Sequence, residues 1–204
     1  LQVALYNIVL LFSAIAYFIK LASRDDRTLN YQLSTINYQL FKMTIPQNGL
    51  FVEPGGGRSY YFGQDLYTFK AIGEETGQAY ALCEVIVAPG GGSPPHRHQR
   101  EDESFYVQEG EIEFQLDDRN FVATPGTFLY SPKGQLHRFT NATATPAKIM
   151  VWVNPAGFEK FIAEVGKAAN SQITPGATLS PEDLAKILNA APKYGIEIVP
   201  PPSE

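Results

Sequence analysis

From Leu50 to Val153 the chain alternates short apolar runs with clusters of Gly, Pro, Asp and Asn. Residues 60–62, 66–72, 79–87, 104–108 and 111–116 read as strands, and 121–123, 127–130, 137–140 and 147–153 continue the series. Between them stand Pro89-Gly-Gly-Gly92, Glu109-Gly110, Asp117-Asp-Arg-Asn120, Pro125-Gly126 and Pro132-Lys-Gly134. Glycine supplies positive φ in such turns, and Asp or Asn tolerates it. Many strands at this short spacing predict an all-β body, a small barrel or jelly roll.

The period changes after Pro155. Phe158, Phe161, Ile162 and Val165 form one apolar stripe at helical spacing. Ser180-Pro181-Glu-Asp183 offers an N-cap, a proline at the first helical position and an acid three residues on. Leu184, Ile187 and Leu188 supply the buried face of that second helix, and Ile196 to Val199 can add an edge strand. Both helices are expected outside the barrel, with no part in its chemistry.

The first 42 residues follow neither pattern. Residues 3–19 are almost continuously apolar, with Lys20, Arg24 and Arg27 behind them. Seventeen residues is the short limit for a membrane-spanning helix. Asn30-Tyr-Gln-Leu is repeated at Asn37-Tyr-Gln-Leu, and the first methionine is Met43. The expected organisation is therefore an extension at 1–42, a barrel at 43–154 and a helical tail at 155–204. The leading reading of residues 1–42 is an over-extended gene start. A membrane anchor through residues 3–19 is the alternative, and a signal peptide fits less well because no positive charge precedes the apolar run.

Composition narrows the function classes. The chain has 204 residues, 44% hydrophobic and only 18% charged, with a net charge of −5. An acidic surface repels phosphate backbones, so no nucleic-acid partner is expected. The single cysteine, Cys83, excludes an intrachain disulfide and suits a reducing, cytoplasmic setting.

All three histidines lie in two short motifs. The first is Gly90-x5-His96-x-His98-x4-Glu103-x6-Gly110 and the second Gly126-x5-Pro132-x-Gly134-x2-His137-x3-Asn141. His96 and His98, two apart on a strand, share a face, which must be the barrel interior if both reach one ion. Glu103 sits at an odd offset, so residues 99–102 must turn or bulge to bring it inward. His137 comes from a later strand. Three imidazoles and one carboxylate leave coordination positions open, as a catalytic ion requires. The set suits one divalent transition metal (Fe, Mn, Ni, Co or Cu, with Zn also compatible) rather than Mg or Ca. By strand parity Phe105 and Val107 follow Glu103 inward and Phe139 follows His137, giving an aromatic wall for a substrate.

Over residues 50–153 both motifs resemble those of the cupin superfamily. The stretch Pro94-Pro-His-x-His98 with Arg100-Glu-Asp-Glu103 resembles, more narrowly, the single-domain quercetinase-like cupins, as do Pro155-x-Gly-Phe158 and Tyr194-Gly-Ile-Glu-Ile198. The resemblance implies a double-stranded β-helix (jelly-roll) barrel with C-terminal α-helices, usually assembled as a homodimer. It also implies a dioxygenase that cleaves a flavonol-like, quercetin-type enol with O2, Glu103 acting as ligand and base. The alternative is a metal-binding cupin of other activity, a small-molecule binder or an oxygenase or isomerase acting on a polar acid.

Overall fold

A computed structural model describes residues 49–169 and 179–199. The apolar run at 3–19, the repeat at 30–41 and the start at Met43 lie outside the described residues. Among the described residues no helix is long and apolar enough to cross a membrane.

The strands pair, all antiparallel, into two sheets. The larger runs β11 (Lys167–Ala168), β1 (Arg58–Phe62), β2 (Asp65–Ala71), β3 (Ala81–Val87), β10 (Ala147–Asn154), β5 (Asp102–Glu109) and β8 (Phe128–Ser131). The smaller runs β12 (Ile196–Ile198), β4 (His96–His98), β9 (His137–Thr140), β6 (Ile112–Leu116) and β7 (Arg119–Ala123). This is the expected all-β, jelly-roll architecture.

The core lies between the sheets because each strand turns alternate residues inward. Along β5, Glu103, Phe105 and Val107 are buried, and along β10 Ala147, Ile149, Val151 and Val153 are. The Phe105 ring of the larger sheet lies 5.0 Å from the Phe114 ring of the smaller. Tight turns close the ends. Gly92, with φ at 140°, passes so near β9 that a Cβ would collide with the Phe139 carbonyl oxygen. The buried Asp65 carboxylate accepts from the Ala88 and Gly92 N–H groups at 2.9 and 2.8 Å, clamping the Gly90–Gly92 loop.

The tail forms as its pattern predicts. Helix α1 (Phe158–Val165) buries Phe158, Phe161, Ile162 and Val165. Helix α2 (Pro181–Ala190) starts on a capping box, where Ser180 Oγ accepts from the Asp183 N–H at 3.1 Å. A 3-10 turn (Ala191–Tyr194) then leads through Gly195 into β12. The tail does more than cover the outside of the barrel. Phe158, Phe161, Ile187, Ile196 and Ile198 all face the cavity described below. An amphipathic stripe announces that a face is buried but not what it is buried against.

Candidate metal centre

His96, His98, Glu103 and His137 come together, one ligand atom from each lying within 4.8 Å of the others. Three strands supply them: β4 both early histidines, β5 the glutamate and β9 the last histidine. His96 and His137 are directly paired across β4 and β9. The odd offset of Glu103 has a simple cause. Residues 99–101 carry the chain from the smaller sheet to the larger, so strand parity does not run from His98 to Glu103. Pro132 and Gly134 make a comparable crossing between β8 and β9 rather than a hairpin. The Gly134 N–H donates to the His98 carbonyl at 2.8 Å, tying that turn to the histidine strand.

Each imidazole is oriented through its Nδ1. That of His96 lies 2.8 Å from the Pro94 carbonyl and that of His137 3.0 Å from the Gln135 carbonyl. That of His98 lies 3.2 Å from the Glu101 carboxylate. These oxygens accept, so each Nδ1 can carry a proton, which would leave each Nε2 lone pair to an ion when one is bound. Ser131 Oγ, 3.1 Å from His137 Nδ1, braces the third ring from β8.

The Nε2 atoms of His98 and His137 meet at one carboxylate oxygen. Glu103 Oε2 lies 2.8 Å from His137 Nε2 and 3.3 Å from His98 Nε2. Despite that proximity the buried His98 Nε2 has no hydrogen-bond partner. An orphaned, inward-facing imidazole nitrogen beside a carboxylate is what a cation would satisfy, and the residues present fit a transition metal.

Without an ion these groups share their charge. Burial opposes ionisation of Glu103, but the His98 charge and the hydrogen bond from His137 outweigh it and hold the carboxyl well below the usual carboxylate range. His98 shows the converse: burial lowers it, yet Glu103 and then Glu101 raise it to about 9. His96 is pushed down to about 3 by burial and by repulsion from His137 and His98.

Glu103 and His96 open on a cavity of about 40 Å³. Phe62, Tyr67, Phe139 and Val151 wall it on the barrel side and the tail residues on the other. Of the aromatic wall expected from parity, Phe139 faces the cavity. Phe105 and Val107 do not: both are buried, but neither lines the cavity. Phe105 rests against Phe114 and Phe139, with ring centroids at 5.0 and 6.0 Å. Small barrels fill their interiors with side chains, and inward is therefore not the same as exposed to a ligand. Asn141 is wholly buried, donating to the Val87 and Thr145 carbonyls at 3.0 and 2.8 Å.

Residues 83–154 match the family model described as Cupin domain. The barrel is a cupin domain. The chain is 28% identical over 85 residues to the quercetin 2,3-dioxygenase of Bacillus subtilis, covering 42% of this chain and 25% of that protein. It is 35% identical over 75 residues to a germin-like protein of Arabidopsis thaliana, covering 34% of each. It thus spans a quarter to a third of the length of these curated relatives. Among solved structures, KdgF from Halomonas sp. superposes with a TM-score of 0.49 at 17% identity, covering 55% of this chain and 99% of that one.

Glu101, Ser131 and the tail wall escaped the sequence reading. Glu101 lies in what looks like a solvated turn of four polar residues, and no periodicity marks it as buried.

Proposed function

We propose that this cupin is a metal-dependent dioxygenase that opens a flavonol-type aromatic enol, with His96, His98, Glu103 and His137 holding one divalent transition ion. The observation that carries the reading is the convergence of four donors, two of which, His96 and Glu103, open on a cavity walled by phenylalanine, tyrosine and aliphatic side chains. When bound, the ion would supply Lewis-acid polarisation of an enol oxygen and the means to engage dioxygen. Glu103 faces the cavity and is the carboxylate placed to receive the enol proton. The apolar wall keeps water away and suits a planar ring. Among the described residues no Lys, Arg, Asn or Gln side chain lines the cavity, which argues against a polyanionic substrate. The similarity to a quercetin dioxygenase supports the same reading.

The cavity volume favours a second reading. About 40 Å³ holds a molecule of a few atoms, not a flavonol, unless the tail wall gives way. A metal-holding cupin acting on a compact substrate is therefore the alternative.

The test is an aerobic assay with quercetin on protein reconstituted in turn with Fe, Mn, Co, Ni and Cu. Loss of the flavonol absorption band with at least one ion is expected. Protein that binds an ion stoichiometrically but bleaches quercetin with none of the five would establish the compact-substrate reading instead.

A further inference from the structure

Of the three imidazoles, His98 alone is backed by a carboxylate. Its Nδ1 meets Glu101 Oε2 at 3.2 Å, whereas His96 and His137 rest on backbone carbonyls. Both members of this pair are almost fully enclosed, His98 at 1% and Glu101 at 4% exposure. A carboxylate is costly to bury, and an imidazole alone is a modest return for that cost. The opposite nitrogen of the same ring, Nε2, is a buried atom that lacks a hydrogen-bond partner.

We infer that Glu101 is a positioning residue for the metal site, holding His98 in the tautomer and orientation that aim Nε2 at the ion and adding negative charge behind it. This rests on the reading of the four-residue cluster as a metal site.

The surrounding chain delivers Glu101 to a defined place. The Gln99 N–H donates to the Gly195 carbonyl at 2.7 Å, and Arg100 donates to the Lys193 carbonyl at 3.1 Å. The other carboxylate oxygen sits against Gly157 at the start of α1, where an added Cβ would come within 2.9 Å of it. Glu101 is thus wedged between the ligand ring and the tail and cannot swing to solvent. A carboxylate accepting from the far nitrogen of a ligating imidazole makes the ring a stronger donor. Two carboxylates, Glu103 on the ion and Glu101 one ring away, would also balance a divalent charge in an apolar setting. A role in packing alone would need only the volume of the side chain, and there the two roles separate.

The test uses the full chain and Co2+, whose visible bands report ligand geometry. Affinity is measured by competition with a chelator, and thermal unfolding of the metal-free proteins is followed in parallel. Glu101→Ala is expected to bind Co2+ about 10–100-fold more weakly than the parent, with altered visible bands. Glu101→Gln keeps the volume and an acceptor oxygen but not the charge, and is expected to lose about threefold to tenfold. If Glu101→Ala does not fold, Glu101→Gln carries the test by itself. Parental affinity and an unchanged spectrum in the folded variants would overturn the inference and leave the metal site standing. A parent that binds no Co2+ would overturn the metal reading and this inference with it.

Discussion

At the scale of single residues, the site is organised around one carboxylate oxygen, Glu103 Oε2, which two imidazoles approach from different strands. In the proposed function Glu103 is both ligand and base and His137 only a ligand, so substitutions should separate them. Glu103→Gln retains an oxygen donor and is expected to keep part of its metal while losing turnover. His137→Ala removes a donor outright and should lose more metal than the glutamine variant, by more than the roughly 10–100-fold that loss of a ligand's hydrogen-bonded partner costs. Metal content by elemental analysis, read beside quercetin turnover, checks both. Quercetin cleavage at the parental rate by Glu103→Gln would remove the base role. Another buried acid, Asp65, lies outside the four-residue cluster. Burial raises Asp65 from 3.8 to about 7, against the lowering effect of the Ala88 and Gly92 N–H groups. The folded state therefore binds this proton more tightly than the unfolded chain. The resulting stabilisation is complete below about pH 4 and fades as pH rises towards 7. Across that window, urea unfolding of Asp65→Asn should lack this downward contribution, and a pH slope identical to the parent's would contradict it.

Among the elements, the histidine strand β4 is the critical one and is poorly supported from within the barrel. It shares one residue pair with β9, His96 with His137, but three with β12. The C-terminal strand is thus its main backbone partner. Helix α1 contributes the cavity wall through Phe161, whose ring lies 6.0 Å from Phe62 and 5.8 Å from Tyr194. Truncating a buried phenylalanine removes its transfer free energy and leaves a void. Phe161→Ala should therefore cost about 3–5 kcal/mol of stability, read by denaturant titration. Because the lost ring borders the cavity, the same variant should admit bulkier ligands. A cost below about 1 kcal/mol would mean that the wall collapses inward or was never tightly packed.

For the molecule as a whole, two antiparallel sheets make the container and the tail closes it. Residues 99–101 connect the sheets and are hydrogen-bonded to the tail at Lys193, Gly195 and Glu197. Cavity wall, histidine strand and crossing loop therefore share one support. A chain ending at residue 178 would lose α2, the 3-10 turn and β12 together. Such a chain is expected to retain a β-type circular dichroism spectrum but to bind Co2+ far more weakly than the full chain. Parental affinity in the shortened chain would show that the barrel holds β4 without help.

The sequence by itself determined most of the strands, the two tail helices and the four residues that cluster. Alternation of period two, caps, turn glycines and histidine spacing are local signals, legible wherever one face of an element is buried. It also led to inward positions for Phe105, Val107 and Phe139. Which inward residues touch the cavity was decided only by the tertiary structure. Phe139 does, while Phe105 and Val107 are core, because the filling of a barrel depends on all its strands at once. The tertiary structure likewise brought Glu101 behind His98 and set the tail against the site. Burial of a turn carboxylate and docking of an amphipathic helix depend on chain segments about 60 to 100 residues away. No pattern confined to a few neighbouring positions carries that information.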